Sequence, residues 1–225
     1  MKDKKENFVT EKDILALCSD LKVIVDGHFA YTSNGKHGYQ YINKDALYLY
    51  AQDTSRLCLE MAKRAFLLCP DIDCVVGPEK GGIILSQWMG YHLSQKKQRP
   101  VLSIFAEKRL RTRAAVESDD NRDFDFIFTR GYGKEVESKN VWIVEDVINR
   151  GRSVKKLVAL VQESGGKVQG VSALWNRGNV RAEDIGCPPN FFALLNIPLL
   201  SFDKKYCYLC KDGILIDEQL GRGRK

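Results

Sequence analysis

The sequence predicts an α/β protein built on a parallel sheet that is flanked by helices. Short apolar runs alternate with amphipathic segments along most of the chain, as expected for strands connected by helices. The run at 141–144 has the length and composition of a strand buried on both faces, and the segment at 153–164 carries apolar residues along one helical face. Because ligands of such sheets bind beyond the carboxyl ends of the strands, polar residues that follow a strand are the first candidates for a site.

Each element follows from its own local pattern. In chain order, we expect a helix at about 11–20, strands and turns at 26–45, an amphipathic helix at 47–68, a strand at 74–76, a helix at 82–94, a strand at 101–106, apolar character again at 126–128, a strand at 141–144, a helix at 153–164, and strands at 168–175 and 191–195. Gly165 and Gly166 are expected to end the helix at 153–164, since glycine adopts the left-handed conformation that commonly follows a helix.

Length, charge and cysteine content limit the classes of protein that the chain fits. Its 225 residues suit one domain with an ordinary core. The formal net charge of +6 suits anionic small molecules, and it is too small and too dispersed to indicate nucleic acid. The seven cysteines are odd in number and mostly scattered among apolar residues, which predicts free thiols in a reducing compartment, the cytoplasm by default. The distribution of apolar residues along the sequence predicts neither a membrane span nor a secretory signal.

Two carboxylates and a short loop follow the strand at 141–144. Glu145 and Asp146 come directly after the strand, and Gly151 and Ser153 precede the next helix. The first N–H groups of a helix lack internal partners and favour an anion. Carboxylates would repel that anion, so they suit sugar hydroxyls or a metal ion. The combination predicts a site for a phosphorylated sugar; the alternative is an ordinary turn with two solvated acids.

A second loop of this kind follows the strand at 74–76. Residues 77–82 contain three glycines and Lys80, which permit close approach of the backbone to an anion. The alternative is a plain tight turn. Two anion sites in one sheet suit a sugar that carries a 5-phosphate at one end and a pyrophosphate at the other.

These motifs resemble those of the type I phosphoribosyltransferases, and among them the orotate phosphoribosyltransferase family. The apolar run, the Glu-Asp pair and the Gly-x-Ser that opens a helix are similar to the family's ribose-5-phosphate signature, and residues 77–82 are similar to its pyrophosphate loop. Residues 27–47 resemble its N-terminal hood. The resemblance covers about 26–213 and implies the type I phosphoribosyltransferase fold as one domain over 1–225, with a small hood at about 1–46, a flexible loop at 107–125 and a Cys-x-x-Cys tail at 201–225.

The resemblance also implies an activity and its participants. The reaction is transfer of the phosphoribosyl group of phosphoribosyl pyrophosphate (PRPP) to a nucleobase, with orotate as the first expectation. Mg²⁺ is the expected cofactor, held through the substrate without an assigned protein ligand, and a homodimer is the expected assembly.

Residue roles carry over position by position. The expected catalytic residues are Glu145, Asp146, Lys108, Arg111 and Arg113. The expected 5-phosphate residues are Asn149, Arg150, Gly151, Arg152 and Ser153. The expected pyrophosphate residues are Glu79, Lys80 and Gly81. The expected base-binding residues are Arg177, Tyr41 and Lys44, for which a surface turn and simple aromatic packing are the alternatives.

The phosphate loop departs from the family pattern. Asn149 and Arg150 stand where many members have two threonines, and Arg152 replaces a small residue. Transfer to a different base and a catalytically inactive PRPP-binding regulator therefore stay open. An RNA-binding regulator on the same fold has support only from the basic end, Arg222, Arg224 and Lys225.

Cys207 and Cys210 form one Cys-x-x-Cys, which is half of a tetrahedral zinc site. Two further ligands are needed, and the sequence has neither a second cysteine pair nor a histidine nearby. Cys187 is a candidate third ligand, and a reduced turn without metal is the alternative. A similar tail occurs in some members of the family, so it supports the resemblance more than a metal.

Overall fold

The computed structural model describes residues 9–31, 36–110 and 124–220. The chain divides into two compact units. The terminal unit combines Met1–Thr54 with Ile197–Lys225, and the sheet unit is formed by Ser55–Asn196. None of the described helices is both long enough and apolar enough to cross a membrane.

The sheet unit is built on six strands. They are β3 (Cys74–Pro78), β4 (Leu102–Leu110), β5 (Phe124–Ile127), β6 (Asn140–Ile148), β7 (Lys167–Asn176) and β8 (Phe191–Asn196), in the order β5-β4-β3-β6-β7-β8. All neighbours are parallel except β4 and β5. The α/β prediction is confirmed, with one antiparallel edge strand, β5. Leu110 pairs with Phe124, so the chain returns beside β4 instead of crossing over the sheet.

Helices cover both faces of this sheet. They are α3 (Ala51–Leu68), α4 (Gly81–Lys97), α5 (Tyr132–Val136) and α6 (Arg152–Glu163). The buried face of α6 packs in one apolar cluster with Val141 and Ile143 of β6. Trp142, between them, points to the opposite face, where its Nε1–H donates to Ser172 Oγ, which in turn lies 4.0 Å from Met89 Sδ of α4. This two-sided burial explains why the strands read as continuous apolar runs.

Three expected boundaries were wrong. Strand β6 continues through Glu145 and Asp146 to Ile148, because β7 remains paired with it to Asn176. Strands β4 and β5 occupy both ends of the expected loop at 107–125. The expected helix at 47–68 is two helices, α2 (Lys44–Tyr48) and α3. At this break the Leu47 carbonyl accepts from the Thr54 hydroxyl at 3.0 Å.

The terminal unit brings the two ends of the chain together. It contains α1 (Glu11–Asp20), the antiparallel strands β1 (Ile24–Ala30) and β2 (His37–Ile42), α2, a 3₁₀ turn at Lys204–Tyr206 and α7 (Tyr208–Lys211). Helix α1 has the expected bounds and begins with a capping box between Thr10 and Asp13. The backbones of His37 and Phe202 exchange two hydrogen bonds of 2.8 Å, which joins β2 to the C-terminal segment.

Candidate active site

The candidate site lies at the switch point of the sheet. Strand β3 is central and pairs in parallel with β4 on one side and β6 on the other. The chain builds β4 and β5 on one side of β3 before it returns to form β6 on the other side. The carboxyl ends of β3 and β6 therefore flank the crevice in which open α/β sheets bind ligands. The two loops singled out from the sequence, 77–82 and 149–153, follow these two strands.

The loop after β3 is held tightly between strand and helix. A Cβ added to Gly77 would lie 2.1 Å from the Gly82 carbonyl oxygen, so both glycines are required for the close packing of β3 on α4. The Glu79 N–H donates to the Ala106 carbonyl of β4 at 2.9 Å. The Glu79–Lys80 peptide bond is cis, Lys80 is exposed, and Gly81 is the first residue of α4. The expected pyrophosphate residues thus lie at the N-terminus of a 17-residue helix.

The loop after β6 leads into the N-terminus of α6. Gly151 is the N-cap of this helix with φ of +72°, a conformation that other residues rarely adopt, and Arg152 and Ser153 are the first helical residues. A Cβ at position 151 would also lie 2.7 Å from Cγ2 of Ile185. The first N–H groups of the 12-residue helix are therefore presented at the rim of the sheet, as expected for a phosphate site.

The same loop is supported by the segment after β7. The N–H groups of Arg177 and Gly178 both donate to the Ile148 carbonyl, at 2.8 and 3.2 Å. A Cβ at Gly178 would lie only 1.4 Å from the Asn149 carbonyl oxygen, so glycine is the only residue that allows this approach. The position of the phosphate loop thus depends on the end of the neighbouring strand.

Asn176 is a supporting residue to which sequence reasoning gave no role. Its Nδ2 donates to the Val180 carbonyl at 2.9 Å and to Asn196 Oδ1 at 3.2 Å, and its Oδ1 accepts from the Val180 N–H at 3.0 Å. The side chain is buried and fixes the turn that carries Arg177 and Gly178. The feature of the sequence that could have indicated this role is that an amide residue directly follows the apolar run at 168–175.

The two carboxylates lie near the carboxyl end of strand β6. Glu145 is 8% exposed and Asp146 is 4% exposed. Glu145 Oε1 accepts from the Asp146 N–H at 3.0 Å, and Asp146 Oδ1 accepts from the Val147 N–H at 2.6 Å. These contacts hold both side chains close to their own strand, at the end of β6 that carries the phosphate loop.

The expected basic residues of the 107–125 segment are only partly described. Lys108 is exposed on β4, and its Nζ lies 4.0 Å from the ring centroid of Phe124. Arg111 and Arg113 lie outside the described residues. Beside Lys108, Glu107 Oε1 accepts from Thr129 Oγ1 and from the Arg130 guanidinium, both at 2.7 Å, which anchors the base of this strand pair.

The expected base-binding residues fall in different units. Arg177 is half-buried at the end of β7, next to the phosphate loop. Tyr41 lies in β2 and Lys44 begins α2, both in the terminal unit. The Tyr41 ring packs 5.4 Å from the ring of Phe29. Its assignment to stacking on a base stays a prediction.

The architecture is that of a type I phosphoribosyltransferase. Solved orotate phosphoribosyltransferases share it: the Mycobacterium tuberculosis structure has a TM-score of 0.60 at 20% identity, covering 83% of this chain and 95% of that chain. The Aeropyrum pernix structure has a TM-score of 0.56 at 17% identity, covering 89% and 98%. At these identities the likeness shows the fold.

Sequence relatives define the family. The orotate phosphoribosyltransferase of Caldanaerobacter subterraneus is 31% identical over 205 residues, which are 91% of this chain and 94% of the relative. That of Pelotomaculum thermopropionicum is 33% identical over 208 residues, with coverage of 92% and 95%. The chain belongs to the orotate phosphoribosyltransferase family. No protein-family model matches it.

Proposed function

We propose that this protein transfers the 5-phosphoribosyl group of PRPP to a ring nitrogen of orotate and releases pyrophosphate. The observation that carries the proposal is the pair of strand-to-helix loops that follow the neighbouring strands β3 and β6 at the switch point, with Glu145 and Asp146 near the end of β6. Such a site can hold the two anionic ends of PRPP while its carboxylates face the sugar. Orotate is proposed from the names of the relatives.

The phosphate loop would bind the 5-phosphate. Backbone N–H groups at the start of α6 and the Ser153 hydroxyl supply hydrogen-bond donors, and Arg150 and Arg152 add positive charge. Asn149 precedes them and would influence the choice of base. This division of roles requires the loop to keep the position set by Gly178.

Glu145 and Asp146 would act on the ribose. Their carboxylates can accept hydrogen bonds from its hydroxyls, and their charge favours the cationic ring that develops as the bond to pyrophosphate breaks. Because both groups are already hydrogen-bonded to their own strand, little reorganisation is needed during the reaction.

The leaving pyrophosphate would be held by residues 79–81. The N-terminus of α4 and Lys80 favour its negative charge, and we propose Lys108, Arg111 and Arg113 as further cationic groups. Lys108 is accessible for this role on the exposed end of β4.

We propose Mg²⁺ as the cofactor, bound mainly through the substrate. The only acidic side chains at the end of β6 are Glu145 and Asp146, and the described residues of the sheet unit contain no group of three or more potential metal ligands. This donor set fits a hydrated Mg²⁺ that takes one or two carboxylates and substrate oxygens. When bound, the ion neutralises charge on the pyrophosphate.

Arg177 would select the base. A guanidinium can hold the carboxylate of orotate through two parallel hydrogen bonds, and the position of Arg177 beside the phosphate loop suits this contact. Tyr41 and Lys44 are proposed as further base-binding residues. A neutral base without a carboxylate would gain nothing from Arg177.

The test is an assay of the purified protein with PRPP, Mg²⁺ and a panel of bases led by orotate. We expect nucleotide and pyrophosphate from orotate, with turnover reduced about 100-fold or more in Asp146→Asn because a charge acting in the transition state is lost. Glu163→Gln, at the exposed far end of α6, is the matched control and should retain wild-type turnover. Wild-type activity of Asp146→Asn would refute its role.

The panel also separates the alternatives. Turnover of another base, with none of orotate, would overturn the choice of substrate and direct attention to Asn149. PRPP binding measured by calorimetry without turnover of any base would instead support the inactive regulator. Arg177→Ala should raise the KM for orotate, whereas Arg181→Ala, an exposed arginine on the same turn, should not.

We propose a homodimer located in the cytoplasm. Helix α4 exposes Ile84 and Tyr91, with the Tyr91 ring 6.0 Å from Trp88, and such apolar groups suit a subunit interface. The seven free cysteines support a reducing compartment. Light scattering should give twice the chain mass of 25.6 kDa, and Tyr91→Glu should lower it. A wild-type mass of 25.6 kDa would contradict the dimer.

A further inference from the structure

Four potential metal ligands meet inside the terminal unit. They are His28 of β1, His37 at the start of β2, and Cys207 and Cys210 around α7. One ligand atom from each lies within 4.8 Å of all the others. Within residues 9–31, 36–110 and 124–220, no other group of three or more histidine, cysteine or acidic side chains is arranged to hold a metal. The candidate third ligand from the sequence, Cys187, is not a member, so that expectation was wrong.

The distances fit a tetrahedral ion. His28 Nε2 lies 3.0 Å from His37 Nδ1, 3.5 Å from Cys207 Sγ and 3.6 Å from Cys210 Sγ. His37 Nδ1 lies 3.2 Å from Cys210 Sγ. With Zn–N bonds of about 2.0–2.1 Å and Zn–S bonds of about 2.3 Å, neighbouring ligand atoms of a tetrahedron are separated by roughly 3.3–3.8 Å. Four of the six pairs of ligand atoms are thus close to the spacing that one zinc ion requires, and the other two pairs lie within 4.8 Å.

The surroundings of His28 orient it as a ligand. Its Nδ1 lies 2.6 Å from the Ile214 carbonyl, which can only accept, so Nδ1 carries the proton. Nε2 is then left with a lone pair that points to the other three groups. Ligating histidines commonly donate their second ring N–H to a backbone carbonyl in this way. The Asp217 N–H also donates to the His28 carbonyl at 2.8 Å, which fixes the strand beneath the ring.

Burial makes a shared ion chemically reasonable. His28 and His37 are 3% and 4% exposed, and Cys207 is fully buried. Two thiolates balance the charge of a divalent ion, so the loaded site would carry no net charge. Four protein ligands leave no open position, which is typical of structural zinc sites and not of catalytic ones.

We propose that His28, His37, Cys207 and Cys210 form a structural Zn²⁺ site that joins the N-terminal strand pair to the C-terminal tail. Imidazole and thiolate ligands in tetrahedral geometry select zinc among the common divalent ions. None of its four residues has a role in the proposed reaction, and the proposal does not depend on that reaction. Its role is to stabilise the terminal unit, since metal bound only by the folded chain contributes to folding.

The first experiment measures the metal content of the full-length protein after exposure to Zn²⁺ and removal of excess by gel filtration. We expect one zinc ion per chain by plasma mass spectrometry. The ion should be lost in Cys207→Ser/Cys210→Ser and retained in Cys69→Ser/Cys187→Ser, which removes two cysteines outside the group. A wild-type chain without zinc, or retention of zinc in the first double variant, would overturn the proposal.

A second measurement on the wild type avoids dependence on the variants. X-ray absorption at the zinc edge should show two sulfur atoms at about 2.3 Å and two nitrogen atoms at about 2.0–2.1 Å. Iodoacetamide should modify Cys207 and Cys210 only after a chelator is added, because metal-bound thiolates are protected. A shell of oxygen and nitrogen alone would overturn the site, and iron bound by the same residues would overturn the choice of zinc.

Discussion

At the scale of single residues, Gly178 has the least space for a side chain near the loop at 149–153. A Cβ at this position would lie 1.4 Å from the Asn149 carbonyl oxygen. Gly178→Ala must therefore displace the loop from the end of β7. We expect the KM for PRPP to rise roughly tenfold or more, since small displacements of a binding group are costly, and the free energy of unfolding to fall by about 1–3 kcal/mol. Steady-state kinetics and urea denaturation measure the two effects.

Gly133→Ala provides the control for this change. Gly133 lies in α5, and a Cβ there would meet no atom closer than 3.9 Å. Alanine also has the higher helix propensity, so stability should be equal or slightly raised. An unchanged KM for PRPP in Gly178→Ala would show that the phosphate loop does not depend on the approach of this residue.

At the scale of elements, the packing between β6 and β7 depends on the large side chain of Trp142, which lies against Gly170, a residue without a side chain. Trp142 is fully buried, and a Cβ added to Gly170 would lie 2.5 Å from its Cη2 and Cζ3 atoms. Gly170→Ala should lower the free energy of unfolding by about 1–3 kcal/mol. In the Trp142→Phe background, where these ring atoms are absent, we expect a smaller cost. Urea denaturation of the two single variants and the double variant measures this coupling, and equal costs in both backgrounds would contradict it.

Asp73 connects the starts of three strands. Its N–H donates to the Asn140 carbonyl, its carboxylate accepts from the Asn140 N–H at 3.1 Å, and the Leu102 N–H donates to its carbonyl. Burial acts to raise the pKa of Asp73, but the hydrogen bond from Asn140 and the adjacent Arg99 guanidinium outweigh it and lower that pKa. The ionised carboxylate therefore stabilises the folded sheet.

The expected effect of Asp73→Asn depends on pH. A lowered pKa in the folded state means that stabilisation is present above the ordinary carboxyl value of about 4 and is lost as the pH falls through the folded value. We expect the variant to be less stable by roughly 0.5–1 kcal/mol at neutral pH, with the difference disappearing in acid. Urea denaturation across this range tests it, with Asp71→Asn, at an exposed position, as the control. A difference independent of pH would contradict the role of the charge.

The boundaries of these elements show what sequence patterns can predict. The apolar runs at 74–76 and 141–144 were sufficient to place β3 and β6, because strands buried on both faces must be apolar. The extension of β6 through Glu145 and Asp146 could not be predicted from hydrophobicity, since pairing with β7 determines where it ends. The loop at 149–153 could be located from the sequence because its residues are contiguous, and its role in binding phosphate stays a prediction. Asn176 was missed because its role depends on the fold around it.

At the scale of the whole molecule, the two units differ in how the chain builds them. The sheet unit is one continuous stretch, whereas the terminal unit combines segments from both ends of the chain. Its ligand group joins His28 to Cys207, 179 positions away in the sequence. This separation explains why the sequence showed only half of a zinc site. Closing so large a loop costs conformational entropy, which a shared metal ion would offset.

If zinc fastens the two segments, its removal should loosen one unit only. The His37 and Phe202 amides are hydrogen-bonded between the segments, and the Asp217 amide donates to His28. Hydrogen exchange followed by mass spectrometry should show these amides exchanging roughly tenfold faster or more after chelation, since local opening becomes easier. Peptides from β6 and β7 serve as the internal control and should not change. Faster exchange in both units alike, or in neither, would contradict a local structural role for the metal.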